Sequence, residues 1–299
     1  MKVNLYLLVV LGLFASHLAV AAVATTAPQW HQDVTYLSSE ALAGRKAGSD
    51  SGAQAGDYVQ TRLQQLGYKT QVQPFAFKQG FFQQGQGRNI ISNDCQRNCV
   101  VISAHYDHLG KPGRHYYPGA NDNASGVAAM LYIAEQLQPL REQITFAAFD
   151  AEENGLHGAK HFIKGKNDDA VRLNINLDML NMPRANSRLF FYTREVLCPM
   201  AKAHIDNSPL KTQMARTNRS INRRLSAERI DWLRASDHWA FAQQKLPFIF
   251  VTSADDPHYH KPSDTAAQIH GERYAQTLQL LTHFIRELLG PRCGDFHAH

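Results

Sequence analysis

The sequence predicts an α/β fold, a three-layer sandwich in which helices cover both faces of a mixed, largely parallel central sheet. Three observations support this: short apolar runs rich in β-branched residues, amphipathic segments that alternate with them, and no Pro- or Ser-rich linker. Uninterrupted apolar strands are typical of sheets buried on both faces, and strands alternating with helices build such sandwiches. With 44% hydrophobic and 19% charged residues, the 299-residue chain can bury one full core.

The N-terminal residues have the layout of a secretory signal peptide. Lys2 precedes an apolar run over 5–14, and small residues over 19–21 offer a cleavage site. A membrane anchor is the alternative, but polar residues interrupt the run before it reaches the roughly 18 residues of a span. We therefore predict a signal peptide over 1–21, one domain over 22–299, and a secreted or periplasmic protein without a membrane span after cleavage.

Four cysteines remain after this cleavage, and an oxidising compartment would pair them. Cys95, Cys99, Cys198 and Cys293 allow three full pairings. Cys95 and Cys99 are close enough to close a turn, which would leave Cys198 with Cys293, whereas four reduced thiols are the alternative. None has the CxxC spacing of a structural zinc site.

The predicted elements follow in order along the chain. A first helix covers 49–66, and residues 75–98, rich in Gln, Gly and Asn, predict strands joined by loops. Ser125 is expected to cap a helix that ends at Pro139, and a last helix ends at Gly290. The buried strands are predicted at four apolar runs, 100–104, 144–149, 173–177 and 246–251.

Each of these four strands is followed by histidine or acidic residues. They are His105, Asp107 and His108 after the first, Asp150, Glu152 and Glu153 after the second, Asp178 after the third, and His258 and His260 after the fourth. Ligands bind beyond the carboxyl ends of strands in open α/β sheets, so these side chains are expected to converge. Asp122 lies in a further loop just before a helix.

A cation explains this convergence better than structural roles do. A single carboxylate after a strand is often a helix cap, and a single histidine is often structural. Several carboxylates at one sheet edge, however, would repel each other and raise each other's pKa values, and one or two cations remove that cost. Imidazole and carboxylate ligands without a thiolate are typical of a catalytic zinc site.

The ordered set of motifs resembles a known family. The matching stretches are Ala104-His105-Tyr106-Asp107-His108, Asn121-Asp122-Asn123-Ala124-Ser125-Gly126, Asp150-Ala151-Glu152-Glu153-Asn154-Gly155-Leu156, Asn176-Leu177-Asp178-Met179, Ser236-Asp237-His238 and Tyr259-His260-Lys261-Pro262-Ser263-Asp264-Thr265. Over roughly residues 35–290 the chain is similar to the co-catalytic two-zinc peptidases that include bacterial leucyl aminopeptidases and glutamate carboxypeptidase-like enzymes.

The resemblance implies a zinc-peptidase domain of phosphorylase/hydrolase-like fold, with two Zn²⁺ ions per chain and a peptide substrate. It implies that Asp122 bridges both ions, that His105 and Asp178 complete one site, and that Glu153 and His260 complete the other. His258 is excluded only by the resemblance, which places the ligand directly before the Lys-Pro-Ser-Asp-Thr stretch.

The resemblance also implies roles for residues next to the ligands. Glu152 is expected to be the general base and Asp107 to orient His105. Neighbouring side chains that leave a strand point in different directions, so Glu153 can bind metal while Glu152 faces the water. The family commonly has Asp-Asp where this chain has Asn121-Asp122, and it carries a cis peptide bond at the position of Asp122-Asn123.

Other histidines and an arginine-rich segment have alternative interpretations. His157 and His161 have metal-ligand spacing, but no HExxH motif accompanies them, so a surface position is favoured. Asp237 and His238 are expected to shape the pocket. The segment 216–234 carries Arg216, Arg219, Arg223, Arg224, Arg229 and Arg234. A solvated helix face is favoured there over a cationic rim for acidic substrates.

These interpretations together predict a secreted aminopeptidase that hydrolyses N-terminal peptide bonds through a metal-bridging water. A carboxypeptidase or dipeptidase of the same family is one alternative, kept open by the arginine-rich segment. A glutaminyl cyclase-like acyltransferase with a single zinc is another, and a non-catalytic binding protein is a third. The net charge of +5 contains no dense Lys/Arg block, so nucleic-acid binding is not predicted. The oligomeric state is left open.

Overall fold

The structure is a computed structural model that describes residues 27–79, 83–166, 170–223, 230–253, 256–291 and 293. The predicted signal peptide over 1–21 lies outside the described residues and stays a prediction. In the part of the chain that is described, no helix combines the length and the apolar character that crossing a membrane requires.

One mixed sheet of eight strands forms the centre of the fold. The strands are β1 (Thr70–Gln79), β2 (Gln83–Ser92), β3 (Cys99–His105), β4 (Ile144–Phe149), β5 (Val171–Leu177), β6 (Leu189–Tyr192), β7 (Thr212–Ala215) and β8 (Phe248–Thr252). They lie in the order β1-β2-β4-β3-β5-β8-β6-β7. The four central strands, β4, β3, β5 and β8, are parallel, whereas β2 joins β4 and β6 joins β8 in antiparallel pairs.

Helices cover both faces of this sheet. Those described are α1 (Gln29–Leu37), α2 (Asp50–Gln65), α3 (Gly126–Gln136), α4 (His157–Ile163), α5 (Pro199–Asp206), α6 (Asn218–Asn222), α7 (His238–Gln243) and α8 (Gly271–Leu289). Successive strand residues point to opposite faces. In β3, Val100 and Ile102 therefore pack in the large cluster with α1, α2, α3, α5 and α8, while Val101 packs with α4 and α7. The predicted three-layer sandwich is confirmed.

The four predicted central strands are found within two residues of their expected ends, and every residue of β3, β4 and β8 is buried. The predicted first helix is also present, since the Ser49 side chain accepts a hydrogen bond from the Gly52 N–H and thereby caps α2. Residues 75–98 contain most of the β1–β2 hairpin, as expected. The last helix ends at Leu289, directly before Gly290.

The predicted start and end of α3 were wrong in detail. Ser125 has helical dihedral angles and makes no cap bond, because the last non-helical residues before α3 are Asp122 and Asn123, at a kink within Ala120–Ser125. The Ser125 hydroxyl instead donates to the Asn121 carbonyl, and the Asn123 side chain accepts from the Gly126 N–H at 2.9 Å. The helix also ends at Gln136, before a 3₁₀ turn that contains Pro139.

Two disulfides fix segments that flank the core. Cys95 pairs with Cys99, with Cα atoms 6.0 Å apart, and closes the turn that leads into β3. Cys198 pairs with Cys293, with Cα atoms 5.2 Å apart, and links the start of α5 to the residues after α8. The favoured pairing is thus confirmed, and the alternative of four reduced thiols is wrong.

Candidate metal centre

The parallel strand registers bring the predicted ligand residues to one edge of the sheet. His105 ends β3 and pairs with Phe149, the last residue of β4, so the loop that carries Glu152 and Glu153 emerges beside it. Asp178 directly follows β5 on the other side of β3. All five predicted ligands, together with Glu152, line one cavity of about 250 Å³.

The first group of potential ligands consists of His105, Glu152 and Asp178. One ligand atom from each lies within 4.8 Å of the others. The His105 Nε2 atom is 3.6 Å from Oδ1 of Asp178 and 3.4 Å from Oδ1 of Asp122. Oδ1 of Asp178 is buried and has no hydrogen-bond partner among the described residues. A cation at this point would satisfy that oxygen.

The second group lies around the other oxygen of Asp122. His260 Nε2 is 3.1 Å from Oδ2 of Asp122 and 3.4 Å from Oε2 of Glu153. His108 forms a group with Asp122 and Glu153, in which one ligand atom from each lies within 4.8 Å of the others. The two carboxylate oxygens of Asp122 therefore face different histidines, which is the arrangement that a bridging ligand requires.

His108 was not among the predicted site residues. Its Nδ1 atom lies 2.7 Å from Oε1 of Glu153. Two atoms that bind one tetrahedral zinc at about 2.1 Å are roughly 3.4 Å apart, so this contact is a hydrogen bond that orients Glu153. The signal was available in the sequence, because His108 stands three residues after His105 at the same strand end.

Asp107 acts on the glutamate loop more directly than on His105. Its carboxylate accepts hydrogen bonds from the backbone N–H groups of Glu152 at 3.0 Å and Glu153 at 3.3 Å. The same carboxylate is 3.7 Å from His105 Nδ1, whereas the Asp107 backbone carbonyl is only 3.2 Å from it. An Nδ1–H that donates to this carbonyl leaves Nε2 free for a metal.

The loop that carries Asp122 has the expected cis peptide bond, and its contacts explain why Asn121 stands where the family commonly has Asp. The Asp122-Asn123 peptide bond is cis. The Asn121 side-chain amide donates to a carboxylate oxygen of Asp256, and its Oδ1 accepts from the Asn181 N–H. An aspartate at position 121 would place two carboxylates in contact, so Asn121 fits the charge of Asp256.

Comparison with known proteins agrees with this geometry. Residues 89–285 match peptidase family M28. The chain belongs to this family. It is 28% identical to aminopeptidase YwaD of Bacillus subtilis over 237 residues. The aligned region covers 73% of this chain and 48% of that protein. The chain thus spans about half the length of this relative.

Two solved structures show how widely the fold of this M28 chain is shared. A zinc aminopeptidase of Bacillus subtilis, BSAP, aligns with a TM-score of 0.70 and 18% identity over 86% of this chain and 94% of its own. A glutaminyl cyclase of Bacteroides thetaiotaomicron aligns with a TM-score of 0.66 and 18% identity over 86% of this chain and 96% of its own. At these identities the likeness shows the common fold alone.

The buried acidic side chains of the M28 site favour the binding of cations. Burial raises the pKa of Glu152 well above its ordinary value, and Asp237, Glu153 and Asp178 add to the effect. Burial alone would lower the pKa of His105, but Glu152 and Asp178 raise it well above its usual range. These buried groups therefore favour their protonated forms, and a metal ion that binds here would displace those protons.

Asp237 and His238 lie behind the cavity rather than among the potential ligands. Both are fully buried. The His238 Nε2 atom contacts the Trp232 carbonyl at 2.9 Å, and its ring stacks on Phe250 with centroids 4.3 Å apart. Trp232 and Phe250 line the cavity, so His238 supports its wall, as expected. Burial raises the pKa of Asp237 to about 8.

The competing histidines do not reach the cavity. His258 Nδ1 lies 2.9 Å from the Ser263 hydroxyl, whereas His260 faces Asp122. His157 and His161 lie on α4 and are partly buried, with ring centroids 5.5 Å from Phe77 and 5.2 Å from Phe75, respectively. They face the β1–β2 hairpin, so the favoured surface position is only partly correct, because each side chain is half-buried against a Phe ring.

Proposed function

We propose that this M28 peptidase is a zinc aminopeptidase that holds two ions per chain. The observation that carries the proposal is the pair of ligand groups on either side of Asp122, with His105 and Asp178 on one side and Glu153 and His260 on the other. Imidazole and carboxylate donors without thiolate are the ligand set of catalytic zinc. The zinc named in BSAP supports the same choice of metal.

The remaining cavity wall favours a substrate with a free N-terminus and an apolar first residue. The described residues that line it include no Arg or Lys, and several of them are acidic, which suits a free ammonium group better than a substrate carboxylate. Arg224 and Arg229 of the arginine-rich segment lie outside the described residues. The apolar part of the lining includes Met179, Ile230, Trp232, Ala235 and Phe250. An N-terminal Leu, Met or Phe side chain would bury apolar area there.

The chain's own residues would divide the chemistry between them. When bound, two zinc ions supply Lewis acidity for the scissile carbonyl and for the attacking water. Glu152 would accept a proton from that water and return it to the leaving amine. Asp107 holds the loop that carries Glu152 through two backbone N–H groups.

The proposal extends to the location of the protein. Two disulfides and the predicted signal peptide favour a secreted or periplasmic enzyme, since disulfides persist in oxidising compartments. A glutaminyl cyclase remains the second candidate, because such an enzyme has the same fold. The complete set of potential ligands for two ions favours the aminopeptidase.

A substrate panel tests the proposed activity. The mature protein is assayed on leucyl-, alanyl- and lysyl-anilides, on N-acetyl-leucyl-anilide, on N-blocked dipeptides with a free carboxylate, and on peptides with N-terminal Gln. We expect hydrolysis of leucyl-anilide, little of the acetylated form, loss of activity with a chelator and recovery with zinc. Activity confined to blocked dipeptides, or cyclisation of Gln without hydrolysis, would overturn the proposal.

A further inference from the structure

A buried arginine lies beneath the candidate metal centre and is not among its predicted residues. Three consecutive residues, Ala43, Gly44 and Arg45, have positive φ angles of 41°, 75° and 37°. A Cβ atom at Gly44 would lie 2.4 Å from the Gly110 carbonyl oxygen, so the close approach there requires glycine. This left-handed segment turns the Arg45 side chain into the protein, where it is fully buried.

All five N–H donors of the Arg45 guanidinium are used, and every acceptor is a backbone carbonyl. The bonds run from Nε to Tyr106 at 2.8 Å, from Nη1 to Leu37 at 3.0 Å and to Pro118, and from Nη2 to Gly119 at 2.7 Å and to Asp122 at 3.1 Å. A guanidinium offers five donors in a rigid planar fork. The fork therefore fixes the relative positions of these carbonyl groups.

Several of these carbonyls belong to the segments that carry the proposed ligands. Tyr106 lies between His105 and Asp107, and the carbonyl of Asp122 belongs to a proposed bridging residue. The backbone of Arg45 reinforces the link, because its carbonyl accepts from the His108 N–H at 3.2 Å. One side chain thus connects the end of β3 to the loop before α3, in addition to the bond from the Tyr117 N–H to the Gly110 carbonyl.

The charge of Arg45 also acts on the site. Burial lowers the pKa of Arg45, and the nearby carboxylates Asp122, Asp264, Asp107 and Glu153 oppose that shift. Arginine keeps its proton in proteins. Arg45 therefore places a permanent positive charge near this cluster of acidic side chains, although none of its hydrogen-bond acceptors is a carboxylate. This charge offsets part of the repulsion between the acidic side chains.

We propose that Arg45 is a positioning residue for the metal pair, which sets the spacing between His105 and Asp122 through their backbone segments. The inference rests on the proposed function, because it takes these two residues as zinc ligands. It predicts that loss of the guanidinium weakens zinc binding itself, beyond any loss of fold stability. The planar fork matters more than the charge, so lysine should replace it only in part.

The test compares R45M and R45K with two control variants, R273M and R273K. Arg273 also donates to two backbone carbonyls, those of Met182 and Pro183, which carry no proposed ligand. Zinc dissociation constants are measured by competition with a chromophoric chelator, and melting temperatures are recorded with and without zinc. We expect R45M to bind at least one zinc ten-fold or more weakly, R45K to be intermediate, and both to show a smaller zinc-induced rise in Tm.

For the control variants we expect the same decrease in Tm with zinc as without it, and a wild-type affinity for zinc. On leucyl-anilide, the Arg45 variants should lose kcat with little change in KM. Arg45 variants with lower Tm but wild-type zinc affinity would show a merely structural role and overturn the inference. So would an R45K protein that does not fold while R273K does. A wild-type protein that binds no zinc would refute the proposed function and this inference with it.

Discussion

Replacing Glu152 by Gln separates proton transfer from metal binding. Glu152 is proposed as the base and not as a ligand, although it lies within 4.8 Å of ligand atoms of His105 and Asp178. Gln has nearly the same shape and cannot accept the water's proton. Its backbone N–H keeps the bond to Asp107, so the loop should hold its position.

The expected size of the effect follows from the environment of Glu152. General acid–base catalysis contributes about 10²- to 10⁴-fold, so kcat should fall by that factor, or roughly 3–5 kcal/mol in activation free energy. Stability should stay close to that of the wild type, because Gln keeps the size of the side chain and the backbone bond to Asp107.

The assay measures kcat and KM on leucyl-anilide, bound zinc per chain and Tm. The matched control is Glu142→Gln, at an exposed glutamate in the 3₁₀ turn over Gln138–Gln143, which should change none of these values. An E152Q protein with two bound zinc ions and a kcat within about three-fold of wild type would refute the base assignment, because a base contributes at least about 10²-fold. Loss of zinc together with activity would instead make Glu152 a ligand.

Three further substitutions test other parts of the site. Asp107→Asn leaves one of the two backbone N–H groups without an acceptor, because the side-chain NH₂ group of Asn only donates. We expect the free energy of unfolding to fall by about 1–3 kcal/mol and kcat to fall about ten-fold, because the base is displaced. Unchanged kcat and Tm would contradict this. Asn123→Ala removes the cap of α3 and a buried bond to the last carbonyl of β5, which should cost about 2–4 kcal/mol in urea unfolding, and a loss under about 0.5 kcal/mol would argue against it. Burial lowers the pKa of His238 to about 3, so the folded state resists protonation. The stability that this group contributes is complete above about pH 6.5 and declines as the pH falls towards 3, by about 2 kcal/mol at pH 5. His238→Phe should lose less stability than wild type between pH 7.5 and 5, and equal pH dependence in urea unfolding would contradict the burial effect.

Most of the central strands were predictable because burial on both faces leaves few polar residues in them. Ile144–Phe149 has no alternation to place one face in solvent. In β5, by contrast, Asn174 and Asn176 alternate with apolar residues and are buried through hydrogen bonds to Ser103 and Ser236. The residues that follow such strands emerge at the same sheet edge, so the convergence of His105 and Asp178 followed from topology alone. The order of the strands was not predictable, because no local pattern decides that β4 lies between β2 and β3.

The details that escaped prediction depend on contacts between distant segments. Asn121, Asn123 and Ser125 are all good capping residues. Only the backbone, which is non-helical at Asn123 and helical at Ser125, decides that Asn123 takes the role. Arg45 bonds to carbonyls that are 61 to 77 residues away, apart from that of Leu37. A lone arginine in a Gly-containing loop gives no sign of such acceptors.

The role of Asp107 shows the same limit at short range. The resemblance to the two-zinc peptidases implied that Asp107 orients His105. The side chain instead caps the backbone of the glutamate loop, 45 residues further along the chain, while its carbonyl meets the histidine. The resemblance identified the residue but not which of its atoms makes which contact.

The most direct test of the two-zinc site is a titration of metal-free protein with zinc. Bound zinc per chain is measured by mass spectrometry under native conditions, and leucyl-anilide hydrolysis is followed in the same samples. The two-zinc proposal predicts two bound ions per chain, with activity that approaches its maximum as the second site fills. Full activity at one ion per chain, or activity that persists in metal-free protein, would contradict it.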